Sequence, residues 1–335
     1  MQLNQIVSLQ DCAAPLVLAE VARPEPATGQ VLIEVSACGV CHTELDEIEG
    51  RTAPPTLPVT PGHEVVGRVV AVGADVTLHA VGDRVGVGWI YHSSGEADEN
   101  LSEQFVATGR DADGGYAEFM VVHERYAYAI PDGLTDTEVA PLLCAGGVGH
   151  RALMMTGMRD GDILGLTGFG GSGHLVLQFA QFVYPKSPIY VFARSEAERE
   201  FALELGATWA GDTTAQPPEP PHAIIDTTPA WKPVLAALKV LRPGGRVVIN
   251  AIRKDDADKS LLTDIDYAEH LWQEKQLVTV ANVTGRDIKA CLDIAVHAGV
   301  KPAVTTYRLE EANEALHALR SGDVRGAKVL AIATS

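Results

Sequence analysis

A chain of 335 residues is longer than one hydrophobic core ordinarily serves, so two domains are expected. It is 46% hydrophobic and 21% charged, the balance of a soluble globular protein, and no apolar run reaches the length of a membrane span. The net charge of −18 repels nucleic acid and anionic lipid.

The opening "MQLNQIVSLQ" has no basic stretch followed by an apolar one, so no secretory signal is read and a cytoplasmic location is expected. Five cysteines, an odd number in such a chain, do not make a disulfide framework. They are free thiols or metal ligands.

The first ~145 residues read as a loop-rich β domain. "QVLIEVSACGV", "VVGRVVAVG", "VGDRVGVGW" and "GGYAEFMVV" have strand composition and are broken by Gly and Pro. Near residue 146 the character changes. "GDILGLTGFGGSGHLVLQFAQFV" is strand, glycine turn and apolar helix. "PIYVFARS" is a second strand, and "SEAEREFALELGA" an amphipathic helix ending at Gly206. "PHAIIDTTP" and "GGRVVINAI" are buried-strand candidates with the helix "PVLAALKVLRPGG" between them. Strands alternating with helices imply a doubly wound parallel sheet and an α/β class. "TTAQPPEPPH" is a surface loop. Beyond about residue 282 come one or two helices, including "LEEANEALHALRSG", and a last strand, "AKVLAIA".

"GFGGSG" supplies Gly168, Gly170 and Gly173 in G-x-G-x-x-G spacing, with Gly171 between them. The pattern is weak alone but informative between a strand and a helix. The first glycine allows a tight turn, the second lets a pyrophosphate approach the backbone, and the third permits close helix–strand packing. A NAD site usually places Asp or Glu at the end of the next strand to bind the ribose. Here that strand ends in Ala193, Arg194 and Ser195, with no carboxylate. A guanidinium and a hydroxyl suit a 2′-phosphate, so NADP is favoured over NAD.

"GVCHTELDEIEG", residues 39–50, concentrates ligand-type side chains: Cys41, His42 and four carboxylates. "PGHE" adds His63 and Glu64, and "LLCAGG" adds Cys144. Two thiolates and one imidazole make a tetrahedral zinc site with one open position. Such a zinc polarises a carbonyl or lowers an alcohol's pKa. Each residue alone is weak, since a lone Cys is more often a small core hydrophobe. Their joint occurrence beside a dinucleotide loop carries the reading.

With these residues in view, the sequence resembles the zinc-dependent alcohol dehydrogenases of the medium-chain dehydrogenase/reductase family. The resemblance runs in family order through "CGVCHTEL", "PGHEVVGRVVAVG", "VGDRVGVGW", "DGGYAEF", "APLLCAGGVGHRAL", "GFGGSGHL" and "LRSGDVRGAKVL". It implies a GroES-like catalytic domain over residues 1–145 and 282–335, and a Rossmann domain over 146–281. It implies Cys41, His63 and Cys144 as catalytic zinc ligands, with Glu64 close behind and able to bind transiently. Thr43 takes the place of the hydroxyl that starts the proton relay, and Glu44 that of the carboxylate orienting His63. His42 and Lys328 fall at cofactor-contacting positions. Trp89, with Ile48 and Ile90, falls on the substrate-pocket wall.

Two departures stand out. Asp46 replaces the usual relay histidine, so the proton's exit is either this carboxylate or the ribose hydroxyl. Ser94, Ala97 and Ser102 stand where relatives carry three of four structural-zinc cysteines, and the fourth position is deleted, so no structural zinc is expected. Glu47 and Glu49 are expected in solvent, since unpaired acids are rarely buried.

The implied activity is a zinc-dependent alcohol dehydrogenase/aldehyde reductase, moving hydride between a primary alcohol, aromatic ones included, and NAD(P). Its partners would be a small-molecule substrate and a second copy in a homodimer or tetramer. A zinc-free enoyl or quinone reductase on the same fold is one alternative, against which Cys41 and Cys144 argue. A non-catalytic cofactor-binding protein is the other, against which the ligand set with Thr43 argues.

Overall fold

The structure, a computed structural model, describes residues 1–9, 14–321 and 326–332, so Cys12 lies outside the described residues. The chain forms two compact units. One comprises Met1–Gly147, Val283–Val296 and Lys301–Ser335, and the other Val148–Asn282 and His297–Val300.

The first unit begins with β1 (Gln2–Ile6), β2 (Leu16–Glu20), β3 (Gln30–Val40), α1 (His42–Ile48), β4 (Val65–Val72) and β5 (Arg84–Val87). Then come β6 (Ile90–His92), β7 (Val106–Ala107), β8 (Phe119–His123), β9 (Ala127–Ala129) and α2 (Asp136–Val139). A 3₁₀ turn, Ala140–Leu143, leads into α3 (Ala145–Met155). The second unit follows with β10 (Leu164–Thr167), α4 (Gly173–Val183), β11 (Ile189–Phe192), α5 (Glu196–Glu204) and β12 (Trp209–Gly211). It continues through β13 (Ala223–Asp226), α6 (Lys232–Val240), β14 (Arg246–Ile249) and β15 (Gln276–Thr279). The chain closes with α7 (Gly285–His297), β16 (Val304–Tyr307), α8 (Ala312–Arg320) and β17 (Ala327–Ala331).

In the first unit a seven-stranded sheet runs β16-β17-β3-β4-β5-β9, with β8 also paired to β3. The long β3 is central. It is flanked by β17, β4 and β8 and buried along almost its whole length, which its run of Val, Leu, Ile, Ala and Cys allows. Two register shifts in its pairing with β4 bend it near Ile33 and Ala37. Under the sheet lies a core of Ile33, Val35, Val65, Val69, Val85, Tyr116 and Met120. Helix α8 covers it with Ala312, Ala315, Leu316 and Leu319, a helical-period stripe. The parallel partner β16 has no signal in the sequence pattern. It is four residues, half exposed, and paired only at the sheet edge.

The second unit is the doubly wound sheet that the alternating pattern predicts. All its strands are parallel, in the order β12-β11-β10-β13-β14-β15. Strand order reverses between β10 and β13, and ligands of such sheets bind beyond the carboxyl ends of strands at that point. Thr167 and Asp226 end those two strands side by side. Among the described residues no helix is long and apolar enough to cross a membrane.

Candidate metal centre and dinucleotide loop

Strand β3 delivers Cys41 to the start of α1. Cys41 is extended, its Sγ accepts a hydrogen bond from Thr43 N at 3.4 Å, and its own N–H donates to Glu44 Oε2 at 2.9 Å. Glu44 therefore caps α1 from within its first turn. The other oxygen, Oε1, lies 2.7 Å from Nδ1 of His63. Both side chains are fully buried. That ion-pair contact favours a proton on Nδ1 and leaves Nε2 toward Cys41 Sγ, 3.5 Å away. Trp89 holds the ring from another side, edge-on with centroids 4.5 Å apart.

Glu64 follows His63 on the approach to β4. The backbone of Gly39 makes room for it, because a Cβ there would lie 1.6 Å from Glu64 Oε2. Gly62, at φ +101°, permits the turn that precedes His63. Cys144 sits at the break between the 3₁₀ turn and α3. The donor atoms of Cys41, His63, Glu64 and Cys144 all lie within 4.8 Å of one another.

These residues fit a zinc ion. Thiolate and imidazole donors are its preferred set. Without a cation the cluster is electrostatically frustrated. The hydrogen bond to Cys144 and burial push the Cys41 thiol up. At Cys144 the bond with Cys41 lowers the pKa, but burial together with the Glu64 and Glu44 carboxylates raises it on balance. Burial raises the Glu64 carboxyl to about 8. Burial disfavours charge on His63, yet the Glu44 carboxylate holds its pKa well above the ordinary value. A divalent ion at the centre relieves each of these at once.

The remaining expected residues fall as follows. Thr43 is buried beside Cys41, and His42 is exposed at the first position of α1. Lys328 lies opposite Val40, the residue before Cys41, and is buried. Asp46 is buried and ion-paired with Arg51 at 2.6 Å, outside the group of metal donors. Ile48 and Ile90 belong to the unit's core cluster rather than to an open wall. The expectation for Glu47 is corrected: it is fully buried, and neither carboxylate oxygen has a hydrogen-bond partner. Burial and the nearby Glu44 push its pKa well up, which disfavours the charged form. Glu49 is mostly buried too, and is bound by Arg51 and Arg320.

In the second unit the glycine loop leaves β10. Gly168 has φ +78°, and a Cβ there would meet Thr227 Oγ1 at 2.8 Å. Gly170 faces open space, while a Cβ on Gly173 would lie 2.8 Å from the Gly168 carbonyl. With Gly171 these residues form an unhindered backbone rim at the N-terminus of α4. After β11, Arg194 is exposed. The Ser195 hydroxyl accepts from Glu198 N and donates to Glu198 Oε2, so it is already committed to capping α5.

Sequence reading missed two features here. Arg199, one turn into α5, donates to the carbonyls of Ala193 and Arg194, bringing a second guanidinium to the strand end. Behind the loop, Lys254 is ion-paired with the fully buried Asp226 and donates to the carbonyls of Thr228 and Ala230. Asp226 also accepts from the hydroxyls of Thr167 at 2.5 Å and Thr228 at 2.8 Å. The only signal was "IDTTP", an acid at a buried strand end followed by hydroxyls.

Comparison with known proteins agrees with this geometry. A model described as "Alcohol dehydrogenase GroES-like domain" matches residues 27–132, and one described as "Zinc-binding dehydrogenase" matches residues 207–330. A Mycobacterium tuberculosis protein named "Probable alcohol dehydrogenase AdhA" is 41% identical over 320 residues, 92% of this chain and 90% of its own length. An alcohol dehydrogenase of Geobacillus stearothermophilus is 33% identical over 330 residues, 94% of this chain and 95% of its own. Among solved structures, a cinnamyl alcohol dehydrogenase of Sorghum bicolor superposes with a TM-score of 0.81 at 27% identity, covering 98% of this chain and 97% of that one. With these relatives aligned over nearly its full length, the chain belongs to the zinc-type, NAD(P)-dependent alcohol dehydrogenases of the medium-chain dehydrogenase/reductase family.

Proposed function

We propose that this alcohol dehydrogenase/aldehyde reductase works with one zinc per subunit, prefers NADP, and acts on primary alcohols and aldehydes, aromatic ones included. The observation that carries the reading is the convergence of the Cys41, His63, Glu64 and Cys144 donors, with Glu44 fixing the imidazole. Zinc held there supplies a Lewis acid that lowers the alcohol's pKa, and the nicotinamide supplies the hydride acceptor.

The chain's own residues do the rest. Cys41, His63 and Cys144 would hold the metal, and the Glu64 carboxylate lies within the same group of donors as a further candidate ligand. Thr43 Oγ1 receives the substrate's hydroxyl proton. Asp46, held by Arg51, anchors the loop after α1, so the proton leaves Thr43 without passing through it. Trp89, edge-on to His63, is the apolar wall that would meet an aromatic substrate. His42 and Lys328 are the remaining cofactor-contacting residues of this reading. Arg194 supplies the cation for a 2′-phosphate, with Arg199 beside it. Ser195 serves the helix cap.

Support for a single zinc comes from the segment after β6. Positions 94, 97 and 102 are Ser, Ala and Ser, and the two hydroxyls accept from the neighbouring backbone amides of Glu96 and Gln104. Support for a homodimer comes from β15, an edge strand. Tyr267, Trp272 and Leu277 are exposed on or just before it, an apolar surface that a second copy would cover.

Elemental analysis tests the reading directly. One zinc per subunit in the wild type, and loss of both zinc and turnover in Cys41→Ser, are expected. Two zinc ions per subunit, or an active Cys41→Ser protein, would refute it.

A further inference from the structure

Apart from the metal centre, the first unit carries a cavity of ≈ 230 Å³ where the segment after β6 meets the start of α7. Tyr128 forms one wall, and Arg125, Arg286 and Lys289 stand around it together with Glu96 and Glu99. We propose that this cavity is a second ligand site, which binds a small phosphate-type oxyanion.

Three observations carry the proposal. First, Tyr128 is 97% buried by its 3% exposure, yet its hydroxyl has no hydrogen-bond partner in the protein and borders the cavity. The hydroxyl is not sealed in the core but opens onto the cavity, where a ligand oxygen can accept a hydrogen bond from it.

Second, the cations here lack partners. Acids outnumber Lys and Arg by 44 to 26 in this chain, so an unpaired cation runs against the composition. Among the described residues no carboxylate comes within ion-pair distance of Arg125, Arg286 or Lys289. Lys289 lies 6.0 Å from the Tyr128 ring centre instead. Three cations around one cavity form the donor set that an oxyanion requires.

Third, the walls are shaped by glycines. Gly95, at φ +74°, lets the turn fold over Arg125; a Cβ there would lie 1.7 Å from Nη1. Gly285 leaves room for the phenol, since a Cβ would come within 3.1 Å of its oxygen.

The acids define the ligand further. Glu99 Oε1 already accepts from Gly285 N at 2.7 Å, which ties the segment after β6 to the first turn of α7. A carboxylate beside an anion site disfavours a fully ionised ligand. Phosphate near neutral pH keeps a hydroxyl on part of its population, and that hydroxyl can donate to Glu96 or Glu99 while its other oxygens face the cations and Tyr128.

The test is calorimetric titration of the zinc-loaded enzyme with inorganic phosphate, against chloride at equal ionic strength. Glycerol 3-phosphate serves as a second titrant, to distinguish free phosphate from a phosphate ester. Saturable binding of either is expected. Tyr128→Phe should weaken it about tenfold, as loss of one hydrogen bond to a charged acceptor does. Alcohol turnover should not change. Because the hydroxyl has no protein partner, this variant keeps its fold. The exposed pair Arg286→Gln/Lys289→Gln provides an independent variant and should weaken binding by about tenfold or more. Absence of saturable binding overturns the proposal. So does binding unchanged in both variants, which would put the phosphate at another site such as the glycine loop.

Discussion

Lys254→Met tests the buried pair behind the glycine loop. Asp226 is fully buried and Lys254 nearly so, which makes the geometry one of mutual dependence. Removing the ammonium leaves the carboxylate with the hydroxyls of Thr167 and Thr228 and the Thr228 amide, all on Oδ1, and strips a donor from the carbonyls of Thr228 and Ala230. Breaking such a pair from one side costs about 3–5 kcal/mol, a large share of a typical stability of about 5–15 kcal/mol. Replacing both partners together removes the uncompensated charge. Lys254→Met/Asp226→Asn should therefore lie within about 2 kcal/mol of the wild type. Urea unfolding of the wild type, the two single variants and the double variant closes the cycle. Because Thr227 Oγ1 also donates to the Thr167 carbonyl, the same damage reaches the strand end from which Gly168 departs, and the KM for cofactor should rise in the single variant. A Lys254→Met loss below about 1 kcal/mol, or a double variant as damaged as the sum of the singles, would refute the reasoning.

Glu44→Gln keeps the volume but removes the charge beside His63; zinc affinity measured by chelator competition should fall about 10–100-fold, with unchanged affinity refuting the positioning role. Arg194→Ala should raise the KM for NADP by about tenfold or more and leave that for NAD nearly unchanged; equal effects on both cofactors would remove the basis for NADP preference. Stripping zinc should make stability strongly pH-dependent. The metal-free Glu64 carboxyl has a folded pKa of about 8, above its ordinary 4.5, so its contribution is intact below pH 4.5 and lost as pH rises toward 8. His63, also raised, adds stability at low pH that is lost as pH rises through its folded pKa, so the two act in the same direction. Metal-free protein whose unfolding midpoint stays flat or increases between pH 5 and 8 would contradict these assignments.

The sequence makes local geometry legible and leaves long-range pairing obscure. Cys41, His63, Cys144 and the glycine loop announce themselves because their chemistry is tied to short motifs, and the alternating strands and helices of the second unit follow from composition alone. Glu47 does not, because three acids in four positions look solvated unless the surrounding core is known to bury nearly the whole of α1. Lys254 is 28 residues from Asp226, and neither position marks the other. The isoleucines at 48 and 90 were assigned to a wall by analogy, and side-chain direction, which decides between wall and core, depends on packing that no motif encodes.

Glu44 gives one oxygen to the first turn of α1 and the other to His63. Helix initiation and imidazole orientation thus share a single carboxylate. A substitution there cannot retune the metal without also loosening the helix, and a change that frays α1 must reach the imidazole. Evolution of this centre is therefore constrained to move both together.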